Sequence, residues 1–166
     1  VHLYVVKSTI KCLLFLCFFS VKVWASENCY IQAGARYNVD PTLIYSIAGV
    51  ESDHDNLAIN KANSNGTADY GLMQINSIWL PHLKKHFGAS VNDLFDSCYN
   101  IHVGTWILSN AFAKWGYNWK SVGAYNVGFG QSIKKDRLRS KYANKIYTRY
   151  KKYCALYGCT GNLRMY

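Results

Sequence analysis

Glu51 and Asp69 are the two side chains whose setting invites chemistry. Glu51 closes the stretch Asp40 to Ser52, in which Leu43, Ile44, Ile47 and Ala48 repeat at helical spacing. At about 100° per residue these four form one apolar stripe. Glu51 falls inside that stripe, roughly midway between Leu43 and Ala48. A carboxylate on a buried face is costly unless it is paired or stays protonated. A carboxyl that keeps its proton near neutral pH can serve as a general acid. The bland alternative is a Glu frayed into solvent at the last helical turn. Asp69 follows a polar loop, where the ionised form is favoured; its bland alternative is a hairpin-closing or capping residue. Two carboxyls in opposed environments divide into acid and stabiliser. With the Asn, Gln and Tyr side chains around them, they suit cleavage of a glycosidic bond.

Several elements must position this pair. Asp40 can cap the first turn of the central helix, and Pro41 suits its first position. A short helix is predicted from Glu27 to Tyr37. Residues 53–69 carry loop chemistry, with His54 read as solvated and Asn65-Gly66 as a hairpin signal. Pro81 is expected to interrupt a broken helix over Ser77 to His86. Asn100 to Trp115 reads as a strong helix, and Asn118 as the cap of a short one through Ala124. Gly128 and Gly130 then break the chain. No Lys-Ser/Thr pair follows them, so a phosphate loop is not expected. Arg137 to Tyr153 reads as a final helix with Leu138, Tyr142, Ile146, Tyr150 and Tyr153 on its buried face.

The 166 residues begin with Lys7 and Lys11 before an apolar run from Cys12 to Phe19, then Val23-Trp24-Ala25. This predicts a signal peptide over 1–25 and one domain over 26–166. No second long apolar run follows, so a soluble mature product is expected. The leader holds three lysines and no acid, so its removal lowers the formal charge from +10 to +7. Four cysteines remain, and an even count in an exported chain favours disulfides. Of the three pairings, Cys154 with Cys159 and Cys29 with Cys98 are favoured. The first closes a short loop at Gly158; the second ties the mature N-terminus to the core. No Cys-x-x-Cys or neighbouring His pair accompanies them, so no metal is expected. Lys134, Lys135, Arg137, Arg139, Lys141, Lys145, Arg149, Lys151, Lys152 and Arg164 stand against Asp136 alone. They make either a solvated basic face or a surface for an anionic partner. No nucleic-acid motif accompanies the charge, and none is expected as a partner.

Three blocks carry a family resemblance: Glu51-Ser52, Gly71-Leu72-Met73-Gln74-Ile75-Asn76, and Ala124-Tyr125-Asn126-Val127-Gly128. In this order and spacing they resemble the lysozyme-like lytic transglycosylases of the soluble-transglycosylase type. The chain looks closest to the small members that accompany type III and type IV secretion systems, pili and conjugation machinery. The opposed carboxyls are also lysozyme's own arrangement, so that pattern and the resemblance are not independent.

The resemblance implies an α+β, mainly α-helical, lysozyme-like fold with one small β-hairpin lobe and a cleft between lobes. It implies Glu51 as the acid/base that cleaves the bond between N-acetylmuramic acid and N-acetylglucosamine, with a 1,6-anhydro product. Tyr125 would orient Glu51, and Ser52, Met73, Gln74, Asn76 and Asn126 would line the sugar subsites. Asp69, 18 residues after Glu51, departs from the family's single-Glu pattern and resembles the second carboxylate of animal-type lysozymes. It leaves hydrolysis open as an alternative, as is a non-catalytic wall-binding module. The expected partners are peptidoglycan strands and a component of a secretion apparatus. The expected state is a monomer in the periplasm, with no cofactor.

Overall fold

The computed structural model describes residues 28–159. The leader expected over 1–25 and Arg164 lie outside them. Helix α1 occupies residues 28–37 and α2 Pro41–Glu51. Three two-residue strands follow: β1 Ile59–Asn60, β2 Asp69–Tyr70 and β3 Ile75–Asn76. A 3₁₀ turn at Ser77–Trp79 leads into α3, Leu80–Phe87. A second, Asn92–Phe95, precedes α4, Ser97–Trp115. Helices α5, Trp119–Val127, and α6, Ile133–Tyr157, are the last elements of the described residues. The architecture is the expected one: mainly helical, with a small β lobe beside the helical body. No helix among the described residues is long and apolar enough to cross a membrane.

The local causes are as read from the sequence. The Asp40 carboxylate accepts the Thr42 amide at 2.8 Å, with Pro41 in the first helical turn. Leu43, Ile44, Ile47 and Ala48 are fully buried, so the stripe faces the core. They meet Ile101 and Leu108 of α4, Val122 of α5 and Ile146 of α6 in one apolar cluster. Helix α6 packs along both α5 and α2, and α4 packs on α5. Both favoured disulfides form. Cys29–Cys98 fastens α1 to the start of α4, and Cys154–Cys159 closes the end of α6.

Other expectations need correction. The β lobe carries one strand more than the expected hairpin, making a three-stranded antiparallel sheet in the order β1-β2-β3. Its first two strands form the hairpin expected around Asn65-Gly66, which lies in the 61–68 connection with the Gly66 amide bonded to the Asn63 carbonyl. Pro81 sits in the first turn of α3 and starts that helix, since proline's missing amide is harmless there. Helix α5 runs past Ala124 to Val127, so Tyr125 and Asn126 are helical. His54 is packed, with its ring 4.1 Å from Tyr45 and its Nδ1 3.3 Å from the Tyr30 hydroxyl. On α6 the buried position belongs to Arg139, 2% exposed, while Leu138 is 44% exposed. Arg139 bonds the carbonyls of Gly128 (3.1 Å) and Gly130 and the Asp136 carboxylate (2.8 Å). Five donors in a rigid fork let a guanidinium satisfy several oxygens at once in an interior position.

One buried amide fixes the polar segment to the helices. Asn100 is fully buried on α4. Its Oδ1 accepts the Met73 amide at 2.7 Å, and its Nδ2 donates to the Tyr70 and Leu94 carbonyls at 3.0 and 2.7 Å. Gly71, at φ 71°, passes so close that a Cβ there would collide with the Leu94 carbonyl and this same amide. Removing the Asn100 side chain strands three buried backbone groups, each worth roughly 1–3 kcal/mol when unpaired. Asn100→Ala is therefore expected to destabilise the fold by about 3 kcal/mol, read as a lower urea midpoint.

Candidate active site

The cleft between the β lobe and the helical body has a volume of about 820 Å³. Glu51, Asp69, Gln74, Asn76, Tyr125 and Asn126 all line it. The structure thus brings together six of the eight catalytic and sugar-binding candidates. Ser52 and Met73 do not line it. The Ser52 hydroxyl donates to the Leu72 carbonyl at 2.8 Å, tying α2 to the polar segment. Met73 is fully buried, with its thioether against Gly104 of α4. Both hold the wall of the cleft rather than forming its surface.

Glu51 reaches the cleft from the last residue of α2. Burial pushes its pKa from 4.5 up to about 7, and the negative charge of Asp69 adds to the rise. A hydrogen bond from Tyr142 and the charge of Lys145 act in the opposite direction. The Tyr142 hydroxyl donates to Glu51 Oε1 at 2.5 Å. The sequence reading assigned this contact to Tyr125, whose hydroxyl instead donates to the Met73 carbonyl at 2.8 Å. Both phenols are held well above their ordinary pKa by burial first and by the Glu51 carboxyl second. They therefore remain protonated donors. A buried phenol needs a partner for its hydroxyl, but several tyrosines of the last helix meet that description, and the rule alone does not single out Tyr142.

Asp69 has a different setting. It occupies the middle strand, directly opposite Asn60 on one side and Asn76 on the other. Its Oδ2 accepts the amides of Asn60 (3.0 Å) and Asn63 (2.8 Å), and its Oδ1 that of Asn76 (2.6 Å). Three neutral donors thus fix the carboxylate, and none adds a compensating charge. Two-residue strands make few ladder bonds, so this side-chain network is what knits the lobe together. Asn60 and Asn63 were missed by the sequence reading, although the run of asparagines around Asp69 carries the signal.

Gln74 adopts left-handed backbone, φ 49°, which is uncommon for a residue other than glycine. Its Nε2 donates to the carbonyls of Gly71 (2.8 Å) and Ala58 (3.3 Å). Those bonds lock the turn that presents β3 to the cleft. Ile78, Trp79, Asn110 and Phe129 add apolar and amide surface. Among the described residues, no group of three or more His, Cys, Asp or Glu side chains could hold a metal. The cleft can therefore deliver a proton from Glu51, hold the Asp69 carboxylate in the same lining, and bind neutral hydroxyls and amides.

Two measurements follow from the Glu51 environment. An acid whose pKa rises on folding is penalised as pH climbs from its unfolded value toward its folded one. Glu51→Gln removes that penalty. Its melting temperature relative to the parent protein should rise between pH 4.5 and about 7 and level off above. The alkaline gain should be on the order of 3 kcal/mol. Tyr142→Phe removes the contact that favours the carboxylate, so the Glu51 pKa should move further up. Its titration, followed by NMR, should shift to higher pH with the fold retained.

With this geometry, the comparisons with known proteins become specific. The model of the Transglycosylase SLT domain family matches residues 28–148. Invasion protein IagB of Salmonella typhimurium strain SL1344 is 40% identical over 142 residues, covering 81% of this chain and 86% of its own. A peptidoglycan-binding-like protein of Escherichia coli O157:H7 is 41% identical over 133 residues, covering 76% and 78% respectively. Protein IpgF of Shigella flexneri is 36% identical over 137 residues, covering 82% and 87%. The matched span holds the whole cleft, from the Cys29 disulfide through Glu51, Asp69 and Tyr125 to Tyr142, and the chain belongs to the Transglycosylase SLT domain family.

Proposed function

We propose that this protein is a peptidoglycan lytic transglycosylase that cleaves the β-1,4 bond between N-acetylmuramic acid and N-acetylglucosamine. The observation that carries the reading is a Glu51 carboxyl held near pKa 7 in a cleft whose other polar surface is the Asp69 carboxylate, amides and hydroxyls. A group at that pKa is poised both to give and to take a proton near neutral pH. Glu51 protonates the glycosidic oxygen, the bond to the muramyl C1 breaks, and the N-acetylglucosamine side departs as an alcohol. The muramyl C6 hydroxyl then attacks C1 and returns its proton to Glu51. The ring closes as a 1,6-anhydro sugar with no water added. Tyr142 steadies the carboxylate formed between the two steps. The substrate's acetamido group, resembling the family mechanism, supports the cationic centre.

Asp69 acts as an electrostatic stabiliser of that centre. Its oxygens accept three amide bonds, which restrains it as a nucleophile while keeping its charge in place. Its presence also favours a second reading, a muramidase that uses water and Glu51 with Asp69 as a pair. The peptidoglycan-binding-like relative supports a cell-wall substrate, and the resemblance to the small transglycosylases that accompany secretion systems supports work beside an export apparatus. The leader expected at 1–25 and the two disulfides support the periplasm, since disulfides persist in oxidising compartments. No cofactor takes part in this scheme.

Digestion of purified sacculi, followed by mass analysis of the soluble muropeptides, tests the reading. The expected products carry anhydro ends, one water lighter than reducing ends. Glu51→Gln should release none while retaining its fold. Asp69→Asn should lower kcat on the order of tenfold and still give anhydro ends. Reducing ends from the parent protein would establish the muramidase instead.

A further inference from the structure

The cleft is lined by no lysine, arginine or histidine among the described residues; its only charged groups are Glu51 and Asp69. Any anionic part of a substrate must therefore be matched outside the lining. The loop after α5 brings cations to that position. Phe129 lines the cleft, and the Lys114 ammonium stands 4.5 Å over its ring. Next to it, a Cβ at Gly130 would collide with Lys135 Nζ, so that ammonium lies directly on the loop. Both lysines are exposed. Among the described residues neither is ion-paired: Asp136, the acid beside Lys135 in sequence, is engaged by Arg139 at 2.8 Å. Arg139 also bonds the Gly128 and Gly130 carbonyls. It thereby fixes the loop that the two lysines flank.

We propose that Lys114 and Lys135 form a cationic rim that binds the carboxylates of the peptide stems carried by the muramyl residues of the glycan. The inference rests on the peptidoglycan reading above. The glycan backbone is neutral sugar and fits a lining of amides, hydroxyls and apolar surface. Its stems are acidic peptides, attached to the sugar through a lactyl group. A cleft filled by sugars leaves the stems to emerge at its edge, where these two ammonium groups stand. The substrate is then stem-bearing glycan in preference to stripped strands, and the rim supplies part of the binding energy at a distance from the bond that breaks.

Binding separates this proposal from the chemistry. Full-length Glu51→Gln protein, which should not digest its ligand, is titrated against fluorescently labelled, uncross-linked glycan strands. One batch retains its stems; the other has been stripped by an amidase, leaving one lactyl carboxylate per muramyl residue. Adding Lys114→Gln and Lys135→Gln should weaken binding to stem-bearing strands about fivefold, as expected for two exposed ion pairs. Binding to stripped strands should be unchanged. Lys114→Arg with Lys135→Arg should restore the affinity, and raising the salt should erase the difference. Equal loss on both batches would assign the lysines to the lactyl carboxylate or to loop packing and overturn the proposal, as would no loss on either. None of these outcomes depends on bond cleavage. The product analysis of the parent protein decides the transglycosylase reading separately.

Discussion

The hydrogen bond from Tyr142 to Glu51 is the contact on which the arrangement turns. It joins the last residue of α2 to the buried face of α6 across 91 positions of sequence. Desolvation, with the charge of Asp69 beside it, favours the neutral carboxyl. The phenol and the charge of Lys145 pull in the other direction, and the balance lies near pH 7. A proton donor that must also accept a proton needs such a balance, because a strong bias either way slows one of the two transfers. The packing of α6 along α2 is therefore as much an electrostatic device as a structural one.

The two carboxyls of the cleft obtain their different characters from opposite strategies. Glu51 loses water to apolar neighbours and keeps one strong donor. Asp69 lies in a lobe with little apolar core and is surrounded by asparagine amides. The amides of Asn60 and Asn76 belong to strand residues paired directly across the sheet, so the pleat itself sets their reach, and that of Asn63 comes in from the 61–68 connection. The β lobe is small because its task is local. It holds one carboxylate and one amide-rich wall against a body whose stability lies elsewhere.

Buried polar groups make the joints between body and cleft. Asn100 bonds three backbone groups where the polar segment crosses α4, and Arg139 bonds the loop beyond α5. Ser52 and Tyr125 add bonds to the carbonyls of Leu72 and Met73. Each joins a helix to irregular backbone, which has carbonyls and amides that secondary structure leaves unpaired. Apolar contacts alone would tolerate small slips at these junctions. Directional bonds in the interior do not, so the wall of the cleft is held to a fixed distance from Glu51.

Periodicity and local chemistry determined much of this protein. The stripe from Leu43 to Ala48 placed Glu51 at the end of a buried helix face, and the caps at Asp40 and Asn118 are formed as read. The even cysteine count left three pairings, and the two bridges favoured on spacing are the ones that form. These features depend on neighbours within a few residues or on a small set of pairings, which a sequence displays directly. Tertiary structure decided the rest. Tyr142 stood on the same helical stripe as Ile146 and Tyr150, and nothing local distinguishes a phenol that meets a carboxyl from one that packs in the core. Arg139 read as one more charge of a basic face, until the loop carbonyls of Gly128 and Gly130 came to it from outside its helix. Met73 and Ser52 lay in the matched blocks beside Gln74 and Asn76, yet they turn inward where their neighbours face the cleft. A motif specifies which residues are adjacent along the chain; only the packing of distant elements decides which way each side chain faces and what dielectric surrounds it.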